Sequence, residues 1–251
     1  MKTIASICAM FFIAAILLAY NGCTGKQLSH TKFYPGTGKG RSLVVLLPTI
    51  GGKGSQYEEY GLMEELRMRG TLADAVVLNV NFRLYLRRKI VEILKTEVID
   101  PAKAKGYKRF YLVGTSLGGH GALLYVTQYP EDVDALFLFA PFISGPLVTK
   151  AIEEAGGLDE WKDCPFLAWK YACNVWKGVK DYASDPERRA RVYLGYGTED
   201  KFARECRTLA EVLPAENVFT VPGGHDWATW KELWIKVLDH LEALRSYQRR
   251  G

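Results

Sequence analysis

The stretch GTSLGGHG, residues 114–121, decides the fold of this chain. It lies between two apolar runs, FYLV at 110–113 and ALLYV at 122–126. A short apolar run before a glycine cluster is typical of a buried strand, and the second run favours a helix. The four glycines therefore predict a tight strand-to-helix turn around Ser116.

Ser116 stands at the centre of the pattern G-x-S-x-G, which is typical of a nucleophile elbow. In such a turn the hydroxyl projects above the sheet, and side chains at the two flanking glycine positions would collide with neighbouring backbone. A helix beginning at Leu117 directs its N-terminus at the hydroxyl, where it favours developing negative charge. The pattern is frequent by chance, but a buried strand before it and a helix after it are the context that supports it.

Strand-like and helix-like segments alternate on both sides of this turn, within a composition that allows one large core. The predicted strands are 43–47, 75–80, 110–113, 133–139, 191–195 and 218–221. The predicted helices are 62–69, 87–104, 117–128, 204–212 and 227–244. This order predicts an α/β domain over residues 41–251, with a mostly parallel central sheet and helices on both faces.

One segment, at about 146–185, interrupts the alternation because it holds no strand-like run. It is too long for a simple loop and predicts a small helical insertion, or cap, before the strand at 191–195. Its tryptophans, Trp161, Trp169 and Trp176, either line an acyl pocket or pack the insertion onto the sheet.

A nucleophilic serine needs a base, and the histidines offer few choices. His30 lies in the predicted tether, and His120 is too close to Ser116 along the elbow helix, so we interpret it as a packing or surface residue. His240 is expected on the surface of the last helix. His225 lies in VPGGHDW, 221–227, a loop between the last strand and the last helix, and is the predicted base.

The base in turn needs an orienting carboxylate. Asp200, directly after the strand at 191–195, is the predicted acid, and Glu199 is the alternative. Asp226 adjoins the histidine in sequence, and neighbours rarely face each other in the way this bond requires. The resulting chain order, serine, acid, histidine, is that of the α/β-hydrolase triad.

The oxyanion of an acyl-transfer reaction needs two backbone donors. The first is the N–H of Leu117. The second is expected in the loop LPTIGGK, 47–53, after the first buried strand, where Ile50 is the predicted donor and Gly51 a less favoured one.

Three motifs together, GTSLGGHGALLY, GYGTED and PGGHDWATWKELW, resemble the α/β-hydrolase superfamily. Within it they resemble an esterase D-like group of serine esterases that also includes mycolyltransferase-like proteins. The resemblance covers roughly residues 41–245. It departs at Pro48-Thr49, where the family often has His-Gly, which makes the assignment of the second donor less specific.

The resemblance implies hydrolysis of small-molecule or lipid carboxylic esters through an acyl-enzyme intermediate. The same triad also serves thioesterases, acyltransferases and peptidases, and a non-catalytic lipoprotein that binds an envelope component is the alternative from another class. Neither a metal nor an organic cofactor is implied, and no spacing of Cys or His suggests a metal ligand set. The formal net charge of +5 is spread along the chain without aromatic–basic interleaving, so no nucleic-acid partner is expected, and the oligomeric state stays open.

The N-terminus has a pattern of its own. Lys2 precedes a nearly uncharged run over 4–20, which predicts a signal peptide at 1–22 and a tether at 23–40. The pair Gly22-Cys23 resembles the lipobox of bacterial lipoproteins, although Tyr20 departs from the leucine usual at that position. We therefore expect export and lipidation at Cys23, with membrane attachment in the cell envelope. Plain secretion and an uncleaved anchor are the alternatives.

Three further cysteines follow the tether: Cys164, Cys173 and Cys206. An oxidising compartment permits one disulfide among them, and Cys164 and Cys173 are the nearest pair. Buried, reduced thiols are the alternative.

Overall fold

The computed structural model describes residues 32–37, 41–70, 73–162, 164 and 170–248, with no side chains described for 245–248. The predicted signal peptide, most of the tether, Cys23, His30 and Trp169 lie outside the described residues. Within the described ranges, no helix combines the length and the apolar character that a membrane span requires.

The core of the molecule is one seven-stranded sheet in the order β1-β3-β2-β4-β5-β6-β7. All pairs are parallel except that of β1 with β3. The strands are β1 Lys32–Tyr34, β2 Ser42–Leu47, β3 Asp74–Val77, β4 Arg109–Thr115, β5 Ala135–Phe139, β6 Val192–Gly197 and β7 Val218–Val221. The predicted α/β architecture is confirmed, and all six predicted strands are present. The additional strand, β1, falls in the stretch predicted as tether, and its three residues are too few to give a sequence signal.

The central strands are apolar along their whole length because helices cover both faces of the sheet. Every residue of β5 is buried, as are five of the six residues of β2. The helices are α1 Gln56–Glu59, α2 Leu62–Met68, α3 Phe82–Leu86, α4 Ile90–Ile93, α5 Asp100–Ala104, α6 Leu117–Gln128, α7 Pro146–Glu154, α8 Lys170–Ala183, α9 Pro186–Arg189, α10 Ala203–Ala210 and α11 Trp227–Gln248.

The helix predicted over 87–104 begins only at Ile90, after the separate short helix α3, so that prediction was wrong at its start. The Asn81 side chain caps α3 by accepting a hydrogen bond from Arg83 N. Arg88 then has a φ of 56°, which interrupts the helical path, and a helix resumes at Ile90. A π-helical segment, Leu94–Ile99, joins α4 to α5. Apolar periodicity did not reveal the break because Arg88 is exposed and contributes nothing to the pattern.

The segment predicted as a helical insertion contains α7 and α8, and α9 follows directly after it. Helix α8 packs on α6, where a Cβ on Gly178 would lie 3.2 Å from Thr127. Trp161 and Trp176 are buried in the core, and neither lines the cleft that contains Ser116. Of the two roles predicted for these tryptophans, packing the insertion onto the sheet is therefore the one that the structure supports. A disulfide joins Cys164 to Cys173, with 5.8 Å between their Cα atoms, and Cys206 is a free, buried thiol.

Candidate active site

Ser116 lies between β4 and α6 in a backbone conformation that side chains rarely adopt, with φ 55° and ψ −116°. Glycine is required on both sides of it. A Cβ on Gly118 would lie 2.1 Å from the carbonyl oxygen of Leu47, and one on Gly114 would lie 2.6 Å from that of Gly118. The turn therefore closes only because two backbones approach within the space that a methyl group would fill.

Three hydrogen bonds support this strained turn. Ser116 N donates to the carbonyl of Phe139 at 2.9 Å, and Phe142 N donates to the carbonyl of Ser116 at 3.0 Å. His120 N donates to the same Ser116 carbonyl at 3.3 Å as the first bond of α6. The serine backbone is thus fixed by the strand beside it, the loop after that strand and its own helix.

The histidine and the acid lie in line with the serine. His225 Nε2 lies 2.8 Å from Ser116 Oγ, and His225 Nδ1 lies 2.9 and 2.8 Å from Asp200 Oδ1 and Oδ2. The Asp200 side chain is fully buried, and its Oδ1 also accepts a bond from Phe202 N at 2.8 Å. The structure therefore brings together Ser116, Asp200 and His225, which lie on three separate loops.

The two other carboxylates considered for the acid point elsewhere. Glu199 is exposed, and its backbone N bonds to the carbonyl of Gly223. Asp226 Oδ1 accepts bonds from Thr229 N at 3.0 Å and Thr229 Oγ1 at 3.1 Å, which caps the start of α11. These bonds from Thr229 lower the pKa of Asp226. Asp226 thus serves the helix, and Asp200 alone of the three contacts the imidazole.

Aromatic rings restrict the His225 ring. Phe202 meets it edge-on at 4.8 Å between centroids, and Trp230 does so at 4.9 Å. These contacts leave the imidazole little freedom to rotate away from Ser116. Sequence reasoning did not single out Phe202 or Trp230, although Trp230 stands in the motif used for the resemblance.

The loop that carries Ile50 is fixed at its base by Tyr57. The Tyr57 hydroxyl donates to the carbonyl of Leu47 at 2.8 Å and lies 2.9 Å from Thr115 Oγ1. Ile50 is 47% exposed and lines the same cleft as Ser116. Leu117 is the first residue of α6, so its N–H has no acceptor within the helix. Leu117 therefore follows the serine directly and Ile50 borders the same cleft, while Gly51 is not among the residues that line it.

The cleft is open and has a volume of about 510 Å³. Tyr60 stacks on Trp227 at its rim, with ring centroids 5.1 Å apart and planes 5° apart. The cleft is lined by Thr49, Ile50, Tyr60, Ser116, Lys201, His225, Asp226, Trp227, Ala228 and Trp230. A separate apolar cavity of about 240 Å³ lies against the sheet and α11 without any of the three aligned residues, so we place the chemistry in the open cleft.

Comparison with known proteins assigns the chain to a family. Residues 16–241 match the model of the family described as "Putative esterase". The chain belongs to this esterase family.

Several solved structures share the fold of this chain, and two of them serve as examples. One is MGS-MChE2, an α/β-hydrolase enzyme from a lagoon-sediment metagenome, with 20% identity, a TM-score of 0.59, and coverage of 88% of this chain and 100% of that one. Another is Est1E from Butyrivibrio proteoclasticus, with 17% identity, a TM-score of 0.60, and coverage of 88% and 97%. These likenesses show that the fold is that of the α/β-hydrolases, as the sequence predicted.

A curated relative matches over a shorter stretch. It is the 2-hydroxy-6-oxononadienedioate/2-hydroxy-6-oxononatrienedioate hydrolase of Comamonas testosteroni, 28% identical over 107 residues. The match covers 41% of this chain and 37% of that relative.

The other two histidines that the structure describes in this esterase-family chain, His120 and His240, pack against aromatic rings. His120 is buried, with Nδ1 3.1 Å from the carbonyl of Ile143 and Nε2 3.1 Å from the Tyr171 hydroxyl. Burial lowers the pKa of His120 to about 4, so the ring is neutral at pH 7. His240 is not on the surface as predicted: it is half-buried, and its ring packs on that of Phe219 at 5.4 Å.

In the part of the chain that the structure describes, no group of three or more His, Cys, Asp or Glu side chains is arranged to hold a metal.

Proposed function

We propose that the protein is a serine-dependent carboxylic ester hydrolase that works through an acyl-enzyme intermediate. The observation that carries the proposal is the unbroken line of hydrogen bonds from Ser116 Oγ through the His225 ring to the Asp200 carboxylate, with the serine open to a cleft. Membership of the esterase family supports the reaction class.

In the proposed mechanism Ser116 Oγ attacks the ester carbonyl while His225 Nε2 takes the hydroxyl proton. The negative oxygen of the tetrahedral intermediate is bound by the N–H groups of Leu117 and Ile50. His225 then gives the proton to the leaving alcohol, which leaves the acyl group on Ser116. Asp200 holds the imidazole in the tautomer with the proton on Nδ1 and stabilises its positive charge. Water repeats the sequence to release the acid.

The cleft supports an ester with an apolar or aromatic part. Ile50, Tyr60 and Trp227 line it, and the Tyr60–Trp227 stack presents an aromatic edge at its rim. We expect a small-molecule or lipid ester rather than a peptide. A panel of matched esters, thioesters and peptide amides, with and without an acceptor alcohol, tests the reaction class.

The direct test is the Ser116→Ala variant with a p-nitrophenyl ester and a fluorophosphonate probe. We expect kcat/KM to fall by about 10³-fold or more and labelling to disappear. Ser184→Ala is the matched control, because that serine lies at the end of α8 and donates to the carbonyl of Asp181. Labelling that persists in Ser116→Ala would reject the proposal.

We also propose that the protein is an exported envelope lipoprotein anchored at Cys23. The direction of β1 supports a role for the anchor in keeping the cleft near the lipid surface. Lys32 pairs with Val77 at the carboxyl end of β3. Strand β1 therefore begins on the side of the sheet formed by the carboxyl ends of the parallel strands, which is the side where Ser116 lies. Lys32 Nζ also contacts Glu58 in α1, two residues before Tyr60 at the cleft rim. The eight residues 24–31 span at most about 29 Å, so a lipidated Cys23 would keep the cleft near the lipid surface.

The anchor is tested by fractionating cells that express full-length protein or its Cys23→Ser variant. We expect the wild type in the membrane fraction with incorporated fatty acid, and the variant without it. Equal fatty-acid incorporation in both would contradict lipidation at this residue.

A further inference from the structure

Glu205 is a buried carboxylate that the proposed mechanism does not use. It lies in α10, five residues after Asp200, and is 3% exposed. Its Oε2 accepts bonds from Ile143 N at 2.7 Å and Ser144 N at 3.2 Å, and its Oε1 accepts one from Gly145 N at 2.9 Å. Three consecutive amides thus converge on one side chain.

Those amides belong to the loop 140–145, which holds the nucleophile turn. Ala140, at the start of this loop, has a φ of 43°, as unfavourable for a side chain as the φ of 55° at Ser116. Phe142 N donates to the carbonyl of Ser116 at 3.0 Å. Two strained residues therefore meet here, and such residues keep their conformation only when the surrounding structure fixes them.

The same loop also contacts the residues around the base. The Phe142 ring packs on Phe202 with 5.4 Å between centroids, and Phe202 packs on His225 at 4.8 Å. Phe202 N donates to Asp200 Oδ1 at 2.8 Å. Glu205 lies three residues after Phe202, in the segment that also carries Asp200. Its carboxylate therefore links that segment to the loop 140–145, which supports the turn at Ser116.

We propose that Glu205 is a positioning residue that sets the distance and orientation between Ser116 and the His225–Asp200 pair. It acts through the backbone of Ile143, Ser144 and Gly145 and does not touch the substrate. The inference rests on the proposed serine hydrolase function. A merely structural carboxylate would stabilise the fold without changing the reactivity of folded molecules.

The Glu205→Gln variant separates these roles. Glutamine has the same shape but a single oxygen, so its NH₂ group must face at least one of the three amide donors. We expect kcat per folded molecule to fall about tenfold and KM to change less than about twofold, since misplacement of reacting groups acts on the chemical step. The rate of fluorophosphonate labelling at Ser116 should fall in parallel.

Asp134→Asn is the matched control. Asp134 Oδ2 accepts a bond from Phe110 N at 2.8 Å at the opposite end of the sheet from Ser116. It should lower the melting temperature without changing kcat or the labelling rate. If Glu205→Gln behaves like this control, Glu205 is structural only and the proposal is wrong.

The Glu205→Asp variant, which keeps the charge but is shorter by one methylene, gives the same readouts if the glutamine variant does not fold. We expect its kcat per folded molecule to fall below that of the wild type with KM changed less than about twofold, and a wild-type kcat in Glu205→Asp would overturn the proposal. A wild-type protein that is not labelled at all would instead reject the hydrolase function, and this proposal with it.

Discussion

Both carboxylate oxygens of Asp200 lie within 2.9 Å of His225 Nδ1, although 25 residues separate the two side chains. The adjacent residue, Asp226, makes no such contact, because its carboxylate is turned to Thr229 at the start of α11. A neighbour in sequence shares the backbone of the histidine and cannot easily face its ring. A residue that follows the neighbouring strand β6, as Asp200 does, can approach the imidazole ring from the side.

The first prediction separates these two aspartates. Asp200→Asn should reduce kcat by about 10⁴-fold, because an amide at this position favours the wrong imidazole tautomer. The measurement is the steady-state hydrolysis of a p-nitrophenyl ester by purified variants.

The matched control is Asp226→Asn, because asparagine can also cap the start of α11. It should keep kcat within about twofold and change the free energy of unfolding by less than about 1 kcal/mol. A collapse of activity in Asp226→Asn with normal activity in Asp200→Asn would reverse the assignment of the acid.

The second prediction concerns the glycine after the serine. Gly118→Ala places a methyl group 2.1 Å from the Leu47 carbonyl, so the elbow or the end of β2 must move. We expect a loss of about 3 kcal/mol or more in the free energy of unfolding, together with a loss of activity. Urea titration and the ester assay measure the two effects.

Gly106→Ala is the control for backbone strain alone, because Gly106 has a φ of +95° but nothing lies within 4 Å of the place that its methyl group would take. It should cost about 1 to 2 kcal/mol and leave activity unchanged. An active and stable Gly118→Ala protein would show that the close approach at the elbow is not required.

The third prediction follows from the burial of His120. Its pKa falls from 6.5 to about 4 on folding, so the unfolded chain takes up a proton that the folded chain does not. Stability is therefore lost as the pH falls from about 6.5 through about 4, by about 2 kcal/mol between pH 7 and pH 5. Urea unfolding at both pH values measures it, and His120→Gln should lack this part of the pH dependence. Equal pH dependence in the two proteins would mean that the ring is protonated in the fold.

The fourth prediction concerns the disulfide between Cys164 and Cys173. Replacing both by serine removes the constraint on the unfolded chain and should lower the free energy of unfolding by about 2 to 3 kcal/mol. The melting temperature should fall by about 5 to 10 °C. Neither cysteine lines the cleft, so kcat should be unchanged. A reducing agent should bring the wild type to the same melting temperature, and a melting temperature unaffected by both treatments would contradict the prediction.

Much of the fold could be read from the sequence because buried parallel strands are continuous apolar runs. The segments 43–47 and 110–113 fall inside β2 and β4 for that reason. Where the chain deviates from regular structure, the spacing of apolar residues gives no signal. Lys32–Tyr34 forms a strand through pairing with β3 and has no apolar run of its own. The turn at Arg88 is exposed and leaves the apolar spacing around it intact.

The sequence by itself determined which types of candidate catalytic side chain are present and their order along the chain: a serine between glycines, then an acid after a strand, then a histidine in the last loop. These follow from local rules, because a tight turn needs glycine and a base needs a flexible loop. Only the tertiary structure decided that Asp200 rather than Glu199 contacts the ring, that Trp161 and Trp176 fill the core, and that Glu205 joins two loops. Those outcomes depend on which side chains the packing of distant strands brings within a few ångströms, and no local pattern along the chain encodes that distance.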